Sequence, residues 1–182
     1  ANASAGLAFT TTHIAAASGV IGWLLVERWH RGHASALGAA SGLVAGLVGI
    51  TPAAGFVPPW TAIIIGFGAG CLCYGAIVMK GRLGYDDSLD VVGVHGVGGT
   101  WGALATGVFA MAAFGGASGL IEGNVSQFIT QVIGVLAAGG YAAVVTLILV
   151  VVLNATMGFR VGDEEEQIGL DQSEHGEVGY NL

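Results

Sequence analysis

The stretch Asp90-Val-Val-Gly-Val-His95-Gly-Val-Gly-Gly-Thr100 is glycine-rich and almost wholly apolar after its first residue, yet it carries an imidazole into what reads as a membrane helix. Ionisable groups at membrane depth are costly and usually face a cavity, a pathway or a partner. At the helical rise, His95 lies roughly 7–8 Å along the axis from Asp90. Gly93, Gly96, Gly98 and Gly99 leave little bulk around it, which suits either a narrow lumen or a tight helix contact. On the residues alone, His95 reads either as one wall of a transport path or as a structural imidazole bonded to a neighbouring helix.

The rest of the chain supports a membrane setting. Of its 182 residues, 54% are apolar and only 9% are charged, against about 25% charged in a soluble domain; the mean hydropathy is +0.77. The 33 glycines follow no collagen-like period, and glycine is favoured where membrane helices approach closely. The class is an all-α polytopic membrane protein. The net charge of −7 belongs mainly to the tail, where seven of the twelve acids lie between Asp163 and Glu177. Cys71 and Cys73 point to different faces of one apolar run and read as small packing residues rather than a bridge. No basic residue precedes Arg28, so no signal peptide is expected, and an alanine start suggests a processed or truncated chain.

Five apolar runs are expected to span about 30 Å of hydrocarbon as helices: residues 7–26, 34–50, 60–79, 91–114 and 128–153. Gly38, Gly42 and Gly46 form a smooth stripe at four-residue spacing, and Gly66/Gly70 and Gly98/Gly102 repeat it, as close helix packing requires. Thr51-Pro52-Ala-Ala-Gly55 and Pro58-Pro59 break the chain between the second and third runs, and Gly115-Gly116 with Gly119 break it after the fourth. Arg28, Arg31, Lys80, Arg82 and Arg160 all fall on one side of this five-span arrangement. The positive-inside rule makes that side cytoplasmic, with the N-terminus outside and the tail inside.

Other ionisable residues have simpler readings. His13 follows three threonines and reads as a histidine satisfied within a helix contact. His30 and His33 read as solvated interfacial residues, too few for a metal site. Asp86, Asp87 and Asp90 stand where the fourth span begins, and capping its positive end explains Asp90. Glu122 reads as a solvated loop acid. The sequence has no H-E-x-x-H, no G-x-S-x-G and no Walker-type loop, so neither a catalytic nor a metal constellation nor a cofactor is expected, and the chain is not read as an enzyme. No nucleic-acid partner is expected; membrane lipid is. The tail from Arg160 is too polar to insert, and its Asp163-Glu-Glu-Glu166 run is expected to dock on the basic loops of the same side.

Four stretches carry a resemblance. They are Gly38-x-x-x-Gly42-x-x-x-Gly46-Leu-Val-Gly-Ile-Thr51-Pro52-Ala; Asp86-Asp87 leading to Asp90; Val91-Val-Gly-Val-His95-Gly; and Gly169-Leu-Asp171 followed by His175-Gly176-Glu177. In order and spacing they resemble the ammonium transporter (Amt/Mep/Rh) family, in the C-terminal half of its subunit. The resemblance implies an eleven-helix subunit in a homotrimer, built from two inverted five-helix repeats and a last long helix, with one conduction path per subunit. The present chain would hold helices 7–11 in residues 1–159 and a cytoplasmic regulatory tail in 160–182. Asn2-Ala3-Ser4-Ala5 would close the sixth helix, with Ala1 standing where the family has a phenylalanine.

The same resemblance implies roles for single residues. His95 matches the second of the family's paired pore histidines, and Val91 an apolar residue lining the inner pore. Ser4 or Ala5 falls where the family has a serine near the outer ammonium site, and Thr51 lies close to that vestibule. Gly169, Asp171, His175 and Gly176 match the regulatory tail, and a PII signalling protein plugs the inner mouth in many family members. The first repeat, with the partner histidine, the pore-stabilising aspartate and the outer aromatic residues, lies outside this chain. In the complete protein, ammonium would meet cation-friendly aromatics, then shed charge or water before an apolar channel where paired imidazoles relay hydrogen bonds or a proton. The implied function is ammonium/ammonia transport, with an ammonium sensor on the same scaffold as the alternative.

Overall fold

The fold is that of a computed structural model, which describes residues 2–179. It forms two compact units, Ala1–Leu136 and Ala137–Leu182, divided within one long helix.

In the first unit, α1 (Ala3–Arg31) starts where the Asn2 side chain accepts from the Ala5 amide and ends at Gly32, a left-handed cap whose amide donates to the Arg28 carbonyl. Asn2–Ala5 forms the cap and first turn of α1. Asn2 is a strong cap, and nothing in Ala3–Gly6 stops the helix it starts. Next, α2 (Ala36–Ile50) is capped by Ser35, whose hydroxyl accepts from the Gly38 amide. Helix α3 (Pro59–Leu83) has proline in its first turn, where the missing amide costs nothing, and a left-handed Gly84 after it.

The fourth apolar run is not one helix. It opens as a six-residue π-helical segment, Val92–Val97, continues as α4 (Gly98–Phe109) and stops there. Ala110 turns extended, and the Met111 amide donates to the Phe56 carbonyl at 2.9 Å instead of continuing the helix. A short α5 (Ala112–Gly115) and a 3-10 turn at Leu120–Glu122 lead into α6 (Val125–Thr156). Glu122, expected to be solvated, accepts from the Ala112 amide at 2.9 Å and ties this connection together.

Among the described residues, three helices, α1, α3 and α6, are long and apolar enough to cross a membrane. Helix α2 has 15 residues, about 22 Å at the helical rise, and α4 has 12. Both are short because their ends are folded into turns: residues 51–57 after α2 and the break at Ala110 after α4.

The glycine stripes do what smooth surfaces do. A Cβ added at Gly46 would lie 2.3 Å from the Ala15 carbonyl oxygen, and one at Gly42 would lie 2.7 Å from the Trp23 Cβ, so α2 meets α1 backbone to backbone. Gly66 and Gly70 bring α3 onto α1, at Ala15 and Gly19, in the same way, and Gly102 brings α4 onto Gly49 of α2. Between these helices lie two apolar clusters. One joins Ala15, Ile50, Ala53, Val57, Ala62, Ile65 and Ala105, with Trp101 packed against it. The other joins Trp23, Ala45, Cys73, Tyr74 and Val94. The buried polar residues Thr11, Ser18, Glu27, Thr61 and Thr106 all have hydrogen-bond partners, as burial demands.

The second unit holds the end of α6, then α7 (Asp163–Ile168) and α8 (Leu170–Ser173). The four acids Asp163–Glu166 fill the first turn of α7, where the helix dipole favours them. The Glu165 carboxylate also accepts from the Gly162 amide at 2.9 Å.

Candidate functional site

The second apolar cluster is the floor on which the His95 segment rests. Val94 is buried among Trp23, Ala45, Cys73 and Tyr74, and a Cβ on Gly93 would come 2.9 Å from the Ile77 side chain. A Cβ on Gly98 would come 3.0 Å from the Cys73 Sγ. Gly96 and Gly99 have no such neighbour from another element, so the segment has a packed side and an open side. His95 is on the open side. It shares a cavity of about 220 Å3 with Ala40, Ser41 and Val44 of α2 and with Leu89, Asp90 and Val94.

The π-helical hydrogen-bond pattern was not legible in composition. Single-turn π insertions occur often at functional sites, because they shift side chains out of α register. Here the low helix propensity of two glycines and three valines among the six residues lowers the cost of leaving the α form.

The start of the segment is anchored by Asp87, not Asp90. The Asp87 carboxylate accepts from the Val91 amide at 2.8 Å and the Val92 amide at 2.9 Å, which makes it the cap. Asp90, expected in that role, has φ 55, the one positive value at a described residue other than glycine. That turn points its side chain away from the segment's amides and into an ion pair with Lys80 of α3. Lys80 also donates to the Asp87 carbonyl at 2.7 Å.

Asp90 and Ser41 also border a second cavity of about 170 Å3, lined by Trp23, Glu27, Arg31, Ser35 and Tyr74 among others. Glu27, which the sequence reading passed over, is only 2% exposed. Its carboxylate accepts from the Ser35 hydroxyl at 2.8 Å and the Ser35 amide at 3.2 Å, tying the end of α1 to the start of α2. The signal for it was the one acid in α1, directly before Arg28.

The remaining expected residues are scattered. Val91 precedes the π segment, is 49% exposed and does not line the His95 cavity; Val94 and Leu89 supply its apolar wall. Thr51 caps the far end of α2, its hydroxyl donating to the Leu47 carbonyl at 2.7 Å. It stands seven residues past Val44, about 10 Å along the axis. Ser4 lies exposed in the first turn of α1. Helix α1 begins at the Thr51 end of α2, since the Thr11 hydroxyl donates to the Ala54 carbonyl at 2.7 Å. In the second unit, Gly169 (φ 100) and Gly176 (φ 64) take left-handed turns that a side chain would strain. Between them, the Asp171 carbonyl accepts from Glu177 at 2.7 Å and the Leu170 carbonyl from His175 at 3.3 Å.

His30 is exposed, as expected, and its Nδ1 also stands 2.8 Å from the Tyr74 hydroxyl, because α3 brings that phenol alongside the last turn of α1. His13, expected to be satisfied within a helix–helix contact, is exposed and meets a neighbour on its own helix. Thr10 and Thr11 bond backbone carbonyls, and the His13 ring stacks at 5.2 Å on Phe9.

The chain has relatives that fit this architecture. The family model described as Ammonium Transporter Family matches residues 1–180. An ammonium transporter of Bacillus subtilis is 44% identical over 176 residues, which cover 95% of this chain and 44% of the relative. The crystal structure of Candida albicans Mep2 superposes with a TM-score of 0.85 at 33% identity, covering 91% of this chain and 38% of that one. A structure described as a sensor Amt protein superposes with a TM-score of 0.82 at 28% identity, covering 96% and 43%. The chain thus spans less than half the length of the curated relatives it matches.

Proposed function

The chain belongs to the ammonium transporter family, and from that premise we propose that it forms the C-terminal part of a subunit that moves ammonium or ammonia across the membrane, with His95 in the wall of the path. The observation that carries this reading is the placement of His95. It sits on the open side of a π-helical segment, in a cavity whose other walls are mostly apolar.

An apolar passage strips a cation of its water at high cost. An imidazole is the side chain that can accept a hydrogen bond from the passing species or hand on a proton near neutral pH. A second imidazole from outside this chain completes the pair, and Val94 with Leu89 keeps that stretch of the path dry, while Val91 lines the path further toward the inner mouth. Thr51 borders the outer vestibule.

In the complete protein, residues 1–159 belong to the membrane region and 160–182 form a cytoplasmic tail. Gly169, Asp171, His175 and Gly176 shape that tail for a regulatory role. The subunit assembles as a homotrimer in the cell membrane, with the beginning of α1 outside and Arg28, Arg31, Lys80 and Arg82 inside. A PII signalling protein is the expected partner at the inner face.

The test is His95→Ala in the complete subunit, reconstituted in lipid vesicles. Loss of ammonium flux, or loss of discrimination against other monovalent cations, supports the assignment. Unchanged flux and unchanged selectivity would remove His95 from the path. A second reading, an ammonium sensor on the same scaffold, is favoured by the likeness to the sensor Amt protein. It predicts ammonium binding without net flux in the same vesicles.

A further inference from the structure

We propose that Lys80 is a specificity-determining residue, which neutralises Asp90 and so keeps the cavity in front of His95 free of net negative charge. The inference rests on the transport reading above.

Asp90 is the one carboxylate among the residues lining the His95 cavity. An unpaired carboxylate there would attract any monovalent cation, hydrated or not. Lys80 prevents this. It reaches from the last turn of α3 to pair with Asp90, and its second donor goes to the Asp87 carbonyl at 2.7 Å. The turn geometry serves the pairing. Asp90 adopts φ 55, a left-handed conformation that aspartate takes more readily than most residues with a Cβ, while Asp87 takes over the capping of Val91 and Val92. A chain that needed only a helix cap would have no use for a left-handed aspartate paired with a lysine. The left-handed turn takes the carboxylate away from the helix start and delivers it to a cation.

The test uses the complete subunit in vesicles, with ammonium and potassium fluxes measured separately. Lys80→Gln is expected to lower the ammonium-to-potassium flux ratio by about tenfold or more, a modest share of what an unpaired unit charge exerts at contact distance. Lys80→Arg is expected to preserve the ratio. Lys80→Gln combined with Asp90→Asn, which removes both charges, is expected to restore it. A double variant as leaky as Lys80→Gln alone would mean that the lysine acts only by bracing the turn, and would overturn the proposal. So would an unaltered ratio in Lys80→Gln. Should Lys80→Gln fail to fold, Asp90→Asn alone decides: the stranded Lys80 cation is expected to cut ammonium flux about tenfold, and unchanged flux overturns the role. An unmodified protein that moves no ammonium would instead overturn the transport reading itself.

Discussion

Glu27 and Ser35 are joined twice: one carboxylate takes both the hydroxyl, at 2.8 Å, and the backbone amide, at 3.2 Å, of the residue that caps α2. The serine hydroxyl in turn accepts from the Gly38 amide. A buried acid at the end of one helix therefore fixes where the next one starts, and α2 is the wall opposite His95.

Removing that acid should loosen the junction. Glu27→Ala removes the acceptor of both half-buried Ser35 donors, a loss of about 1 kcal/mol in stability. Glu27→Gln keeps one acceptor and should lose less. Thermal unfolding of the detergent-solubilised protein orders the three forms; an Ala variant as stable as the original would show that the junction is held elsewhere.

The glycine stripes make a steric prediction with an internal control. A Cβ at Gly46 meets backbone, the Ala15 carbonyl oxygen at 2.3 Å, so Gly46→Ala must push α2 off α1. Overpacking of this kind costs about 1–3 kcal/mol. Gly75, in α3, has open space around it, so Gly75→Ala should be neutral or stabilise by up to about 1 kcal/mol through helix propensity. The two melting temperatures should move in opposite directions, or only that of Gly46→Ala should fall.

Asp87 offers a third test. Its carboxylate holds the amides of Val91 and Val92, and losing a cap costs about 1 kcal/mol. In Asp87→Ala, hydrogen exchange should quicken at residues 91–94 while α1 is unaffected. Asp87→Asn, which can still accept, should recover much of the protection.

Much of the architecture is written in local chemistry. The stripes at Gly38/Gly42/Gly46 and Gly66/Gly70 announce backbone contact between helices, and Pro58-Pro59 with Gly84 marks both ends of α3. The apolar runs give the helices, but their boundaries come from long-range partners. Residues 91–114 read as one span, but the Phe56 carbonyl accepts from the Met111 amide and the Ala110 carbonyl from the Gly119 amide, so the helix stops at Phe109.

The site was legible in part for the same reason. His95 stood out as an ionisable group in an apolar run. The exchange of roles between Asp87 and Asp90 could not be read, because it depends on a φ of 55 and on a lysine ten residues upstream reaching back. Tyr74 beside His30 likewise needs α3 folded onto α1.

The π-helical segment has a consequence for how this protein can change. Each π turn closes a loop one residue longer than an α turn, so Val92–Val97 behaves as though an extra residue had been threaded into an ordinary helix. Deleting one residue there would let the helix close normally, and would swing everything before the cut by roughly 100° relative to α4. No atom of the imidazole need be altered for it to leave the cavity. In this stretch the length of the chain is under as much constraint as its chemistry, and insertions and deletions are more disruptive than exchanges between valine and glycine.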